Sequence, residues 1–219
     1  MLTSSNDFTS PTGGGLGEGL GDRLDPQPGQ RGAGDRLIAT ARVRDRARRQ
    51  EQREAGYHEA RVLLLIDRFT GARKGLDGLT KLAKLDFLLR YPAMLERLLA
   101  KDGISWPPGV QPTSAERLAV VSRMTRYKYG PWDQRYYSIL GSLVARDLIT
   151  YGVTDRAEFR ITASGAVAAA MLAETDEWAV VAKRVALLKK HFNKSGSMLK
   201  TLIYDRLPDA VDRPWRTEI

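Results

Sequence analysis

The 219-residue sequence predicts a mainly α-helical chain: a winged helix-turn-helix domain with a short β-hairpin wing and additional C-terminal helices. Three observations carry that expectation. An amphipathic run follows Pro131 and ends near Asp147. Two β-like runs, Leu148 to Val153 and Glu158 to Ile161, meet at the turn residues Thr154-Asp155-Arg156. Thr162-Ala163-Ser164-Gly165 then opens an Ala-rich helix. The periodicity moves from helical to two-residue and back, as a helix, a hairpin and a helix require.

Residues 1–34 are rich in Gly, Ser, Pro, Asp and Thr, and such a composition buries too little apolar surface to order a chain, so a disordered tail is expected. Residues 35–56 lack that punctuation until Gly56 and carry Arg42, Arg44, Arg46, Arg48 and Arg49 among Ala, Gln and acids, the composition of a basic helix or linker. Two readings stand side by side: a basic helix lying on nucleic acid or a partner, and a solvated lead-in helix. The main domain is expected over 57–207, a winged helix with a C-terminal helical extension, followed by a polar tail over 208–219.

Within the domain, Val62, Leu65, Ile66 and Phe69 fall at the i, i+3, i+4, i+7 spacing of a buried helical face. A Gly-rich connection over 71–78 leads to a helix marked by Leu79, Leu82, Leu85 and Leu89, which Pro92 ends while starting the next. Residues 102–112, with Trp106-Pro107-Pro108-Gly109, predict a stiff loop. Thr113 and Glu116 form a capping-box pair that predicts a helix from Ser114 to about Thr125. Arg123, Arg126 and Lys128 lead into the aromatic stretch Tyr127 to Trp132, where the aromatics either stack on bases or pack beneath a loop.

In the helix after Pro131, the buried stripe is expected at Tyr136, Ile139, Leu140, Leu143 and Val144. As a recognition helix it offers Gln134, Arg135 and Ser138 to a groove, with Arg156 and Arg160 of the wing near phosphate. Few of these are basic, which argues against dedicated base reading. Further on, Trp178, Val181, Val185, Leu188 and Phe192 make a seam about two heptads long, flanked by Lys189 and Lys190. That seam serves either a partner or second copy, or this chain's own core.

The formal charge of +9 favours acidic partners such as DNA backbone. With no Cys, disulfides, thiolate nucleophiles and Cys-based zinc sites are excluded. No apolar run approaches the roughly 20 residues of a membrane span, and a cytoplasmic protein is expected. His58 and His191 lie far apart, Ser164 lacks a G-x-S-x-G frame, and no phosphate loop is present. A non-catalytic protein without metal or cofactor is the expectation.

The segments Leu63-Leu64-Leu65-Ile66-Asp67, Leu82-Ala83-Lys84-Leu85-Asp86-Phe87-Leu88-Leu89, Tyr129-Gly130-Pro131-Trp132-Asp133 and Phe159 to Gly165 resemble the middle components of bacterial ABC-three-component systems. The resemblance spans 57–207. It implies an accessory subunit that accompanies an SMC-like or Rad50-like ATPase and an effector, as in Lamassu-type phage defence, with nucleic-acid sensing among the complex's tasks. The alternative expectation is a dimeric winged-helix DNA-binding transcriptional repressor.

Overall fold

Val62, Leu65, Ile66 and Phe69 all lie in the core, on a helix, α1, that spans residues 53–69. Leu63 and Leu64 are buried beside them, so α1 is apolar on most of its circumference and sits centrally. The computed structural model describes residues 53–118, 124–127, 130–153 and 157–211, together with Arg42 and Gln50. The chain divides into two units, Met1–Arg48 and Arg49–Ile219. In the first, Arg42 is helical and exposed. The rest of the expected tail, 1–34, and Arg44, Arg46, Arg48 and Arg49 lie outside the described residues.

The second unit is mainly helical. After α1 come β1 (Leu76–Asp77), α2 (Leu79–Arg90), α3 (Pro92–Lys101) and α4 (Ser114–Leu118). A hairpin of β2 (Thr125–Tyr127) and β3 (Gly130–Trp132) leads to α5 (Tyr136–Ala145). β4 (Ile149–Val153) and β5 (Ala157–Ile161) follow, then α6 (Ala163–Glu174), α7 (Asp176–Phe192), α8 (Gly196–Arg206) and α9 (Pro208–Val211). β4 and β5 pair antiparallel, with Ile149 opposite Ile161 and Val153 opposite Ala157. β1 adds to β5, Leu76 opposite Phe159, so the sheet runs β1-β5-β4.

Several local signals act as their chemistry dictates. Pro92 occupies the first turn of α3, where its missing N–H costs nothing. Thr113 and Glu116 close a reciprocal capping box: the Thr113 N–H donates to Glu116 Oε2 at 2.8 Å, and the Glu116 N–H donates to Thr113 Oγ1 at 3.1 Å. At the end of α5 Asp147 takes the left-handed conformation, φ 52°. The Leu148 N–H then reaches Leu143 O at 2.9 Å and the Asp147 N–H reaches Val144 O at 3.0 Å, a Schellman closure.

Other expectations are corrected. The helix begun at Ser114 does not run to Thr125, because Thr125–Tyr127 pair with Gly130–Trp132 as a hairpin; residues 119–123 lie outside the described residues. Pairing with the adjacent strand β3 overrides the helical signal there. β1 emerges from the stretch read as a Gly-rich connection, two residues being too short to show a period. Pro208–Val211 are helical where a polar tail is expected, and Asp209 pairs with Arg97 at 2.7 Å. Val144 is 42% exposed rather than part of the α5 stripe.

The seam of α7 is spent within the chain. Trp178, Val185, Leu188 and Phe192 are buried and Val181 is packed against the core, so none of the five forms a free face for a partner or second copy. Helix α7 packs against α2 and α6, and Trp178 meets the Tyr57 ring of α1 at 5.0 Å.

The start of α6 is packed onto the α5–β4 turn. Thr162 Oγ1 accepts from the Gly165 N–H at 2.9 Å and donates to Asp147 O at 2.7 Å. A Cβ at Gly165 would lie 1.9 Å from Leu148 O and 2.8 Å from Ile161 Cδ1, so only glycine fits. Gly165→Ala is expected to lower stability by about 1–3 kcal/mol, the usual cost of overpacking. Thermal denaturation followed by circular dichroism measures it.

Candidate functional site

The helical period places Leu82, Leu85, Asp86 and Leu89 on one face of α2, so a carboxylate enters the core with the leucines. Asp86 has no exposed surface. Burial by itself pushes its carboxyl up, but Arg61 and Arg90, with hydrogen bonds from Arg61 and Tyr136, hold it below the ordinary value. Arg61 Nε of α1 donates at 2.5 Å, Tyr136 Oη of α5 donates at 2.6 Å, and Arg90 of the same helix lies at 3.5 Å. His58, one turn before Arg61, is lowered to about 4 by burial and then by Arg61, Arg135 and Arg90. It is neutral at pH 7, and its Nδ1 accepts from Arg61 Nη1 at 2.9 Å.

The cluster continues into the Gly130-Pro131-Trp132-Asp133 segment. Asp133 accepts from Arg90 at 2.7 Å and from the Arg135 side chain and N–H. These bonds outweigh its burial and hold its carboxyl far below the ordinary value. Lys84 of α2 is 2% exposed and donates to Pro131 O at 3.2 Å. Burial first, then Lys200, lower its pKa to about 7. Gly130 has φ 93°, and a Cβ there would meet Lys84 Nζ and Tyr204 Cε2 at 3.2 Å. Trp132 meets Tyr136 edge-on at 5.5 Å, so this aromatic is packed at the α5 entrance rather than offered to bases.

A second ionic contact fixes the 102–112 loop. Arg184 of α7, 4% exposed, donates from Nε to Val110 O at 2.9 Å and from Nη2 to Gln111 O at 3.1 Å. Its fork is bidentate with Glu116 at 2.6 and 3.0 Å, the same carboxylate that closes the capping box. Hydrogen bonding to Arg184 leads the causes that lower Glu116 to about 2, against partial burial.

Among the described residues, three of the expected nucleic-acid residues, Arg135, Arg160 and Lys189, are engaged within the chain. Arg123, Lys128 and Arg156 lie outside the described residues, and Arg126 sits in β2 opposite Pro131. Gln134 and Ser138 are exposed, as a groove-facing role needs. Arg135 is bound to Asp133, and Arg160 donates to Gly71 O, Arg73 O and Glu158. Lys189 is half-buried, its ammonium 3.3 Å from Phe69 O, while Lys190 is exposed. Arg61, Asp86, Arg90, Asp133 and Tyr136 are absent from the sequence-based candidates. The legible signal was Asp86 at an apolar-face position of α2.

No family model, curated protein or solved structure matches the chain. Among the described residues no group of three or more His, Cys, Asp or Glu is placed to hold a metal ion, and no helix is long and apolar enough to cross a membrane.

Two outcomes follow from the buried charges. Asp86→Ala leaves Arg61 and Arg90 without their shared counter-charge and is expected to cost about 3–5 kcal/mol in urea denaturation. Lys84 binds its proton near 10.5 when unfolded but only near 7 when folded. Between those values the unfolded chain holds more protons, so stability falls as pH drops from 10.5 to 7 and this contribution then levels off. Lys84→Met is expected to flatten that slope, read from denaturation midpoints between about pH 7 and 9.5.

Proposed function

We propose that the protein is a non-catalytic winged-helix accessory subunit that docks, through the outward face of α5, onto a partner subunit. Support for the winged helix comes from element order. Helix α1, edge strand β1, helix α2, helix α5 and the β4–β5 hairpin succeed one another, with β1 joined to β5. α3, α4 and the β2–β3 hairpin are inserted between the two central helices, which the Tyr136–Asp86 bond ties together.

The observation that carries the docking role is the character of the α5 surface. Tyr137, Gly141 and Val144 follow one face at i, i+4 and i+7. Tyr137 is 67% exposed, Val144 is 42% exposed, and a Cβ at Gly141 would meet nothing. The cations at either end are occupied: Arg135 by Asp133 and Arg146 by Glu59 at 2.5 Å. A helix presenting phenol and methyl groups with its guanidiniums neutralised suits a protein surface better than a phosphate backbone. Val167 and Met171, one turn apart on α6, are also exposed.

The partner class comes from the resemblance: an SMC-like or Rad50-like ATPase, with an effector, in an anti-phage complex. The test is gel filtration of the chain with a purified coiled-coil ATPase encoded beside its gene. A joint peak is expected, abolished by Tyr137→Glu/Val144→Glu with the melting curve unchanged. Separate elution would refute the docking role. Operator-selective duplex binding lost in Gln134→Ala/Ser138→Ala would replace it with the repressor.

A further inference from the structure

Lys183, Leu187, Lys190 and His191 fall at i, i+4, i+7 and i+8 and share one side of α7. Across from them lie Arg68 of α1 and residues 104–107 of the loop that Arg184 pins, and the space between is an open groove of about 630 Å³. Ile104, Trp106, Pro107 and Leu187 give it apolar walls. Arg68, Lys183, Lys189 and Lys190 give it positive charge, and no carboxylate lines it.

That charge balance differs from the ion-paired arginines elsewhere on the surface of the second unit. Arg97 is met by Asp209, Arg117 by Glu96, Arg146 by Glu59 and Arg206 by Asp102. Lys183 and Lys190 have no hydrogen bond or ion pair among the described residues. Lys189 sits over the Phe69 ring, 5.0 Å from its centroid, and burial followed by Arg68 holds its pKa below the ordinary value. Positive charge is therefore gathered on a concave wall that no carboxylate lines, Asp67 beside Arg68 facing the neighbouring cavity, and an anion entering the groove relieves the repulsion.

We infer that this groove binds single-stranded nucleic acid, with phosphates on Arg68, Lys183 and Lys190 and a base against Trp106 and Pro107. Its volume is within the roughly 300–1,000 Å³ of ligand sites. A duplex would offer only its phosphate rail and leave the apolar wall unused, whereas an unstacked base has a flat face to place there. The site is separate from the α5 face, so either assignment can fail without the other.

Fluorescence anisotropy of the full chain with a labelled oligothymidylate of about 12 nucleotides tests it. Lys183→Ala/Lys190→Ala removes two exposed side chains. It is expected to weaken binding about tenfold and to reduce the log–log salt slope by about 1.4, two phosphate contacts at about 0.7 each. Arg73→Ala/Lys74→Ala, also exposed, removes equal charge elsewhere and is expected to leave binding within about twofold. Equal losses in the two doubles would mean general attraction and overturn the site. Tighter binding of a duplex of equal length, or equal competition by polyglutamate, would overturn it too.

Discussion

One buried carboxylate ties the helical frame together. Asp86 is wholly out of water, and an isolated carboxylate in that position would cost several kcal/mol. It is tolerable because Arg61, Tyr136 and Arg90 converge on it. Those partners come from α1, α5 and α2 itself, so the three central helices share one charge centre whose geometry admits little variation. The non-directional packing of core residues such as Leu65, Leu85 and Ile139 would tolerate small slippage; a hydrogen bond of 2.6 Å to a buried phenol does not.

The consequences spread outward from that centre. Arg90 passes the constraint to Asp133, and Asp133 fixes Arg135 at the entrance of α5. Lys84, two residues before Asp86, holds the Pro131 carbonyl of the adjoining hairpin. The rotation of α5 about its axis is thereby set from below by Tyr136 and from its N-terminal end by Asp133. The face carrying Tyr137 and Val144 is turned to solvent as a result. Arg184 does the same for the loop after α3, binding its carbonyls and the capping-box carboxylate together, and so builds one wall of the basic groove. Two surfaces of opposite character, one apolar and one cationic, thus stand on rigid supports.

The helical frame was legible in the sequence because its signals are local. Val62, Leu65, Ile66 and Phe69 announce a buried stripe by spacing alone. Thr113 with Glu116 announces a cap, and the residues around Thr154-Asp155-Arg156 announce a hairpin; each needs only neighbours within a few positions. The same signals misled where a segment had an alternative partner, near or far. Thr125–Tyr127 continue a plausible helix until β3 supplies a strand to pair with, and the α7 seam looks equally suited to a second copy until α2 and α6 cover it.

The sequence by itself therefore determined most of the helices, the β4–β5 hairpin and the cap at Thr113, and that the chain is basic, while the β2–β3 hairpin, β1 and α9 escaped it. Only the tertiary structure decided which charges are free. Arg146 and Arg160 look like available cations in the chain, but groups remote in sequence consume them: Glu59, 87 positions from Arg146, and the Gly71 and Arg73 carbonyls for Arg160. The position of Asp86 on the apolar face of α2 signals burial, but not its partners: Arg61, 25 positions earlier, and Tyr136, 50 positions later, are brought to it only by the fold. Ion pairing depends on distances of a few ångströms between side chains whose separation along the chain is unconstrained, and no periodicity encodes it.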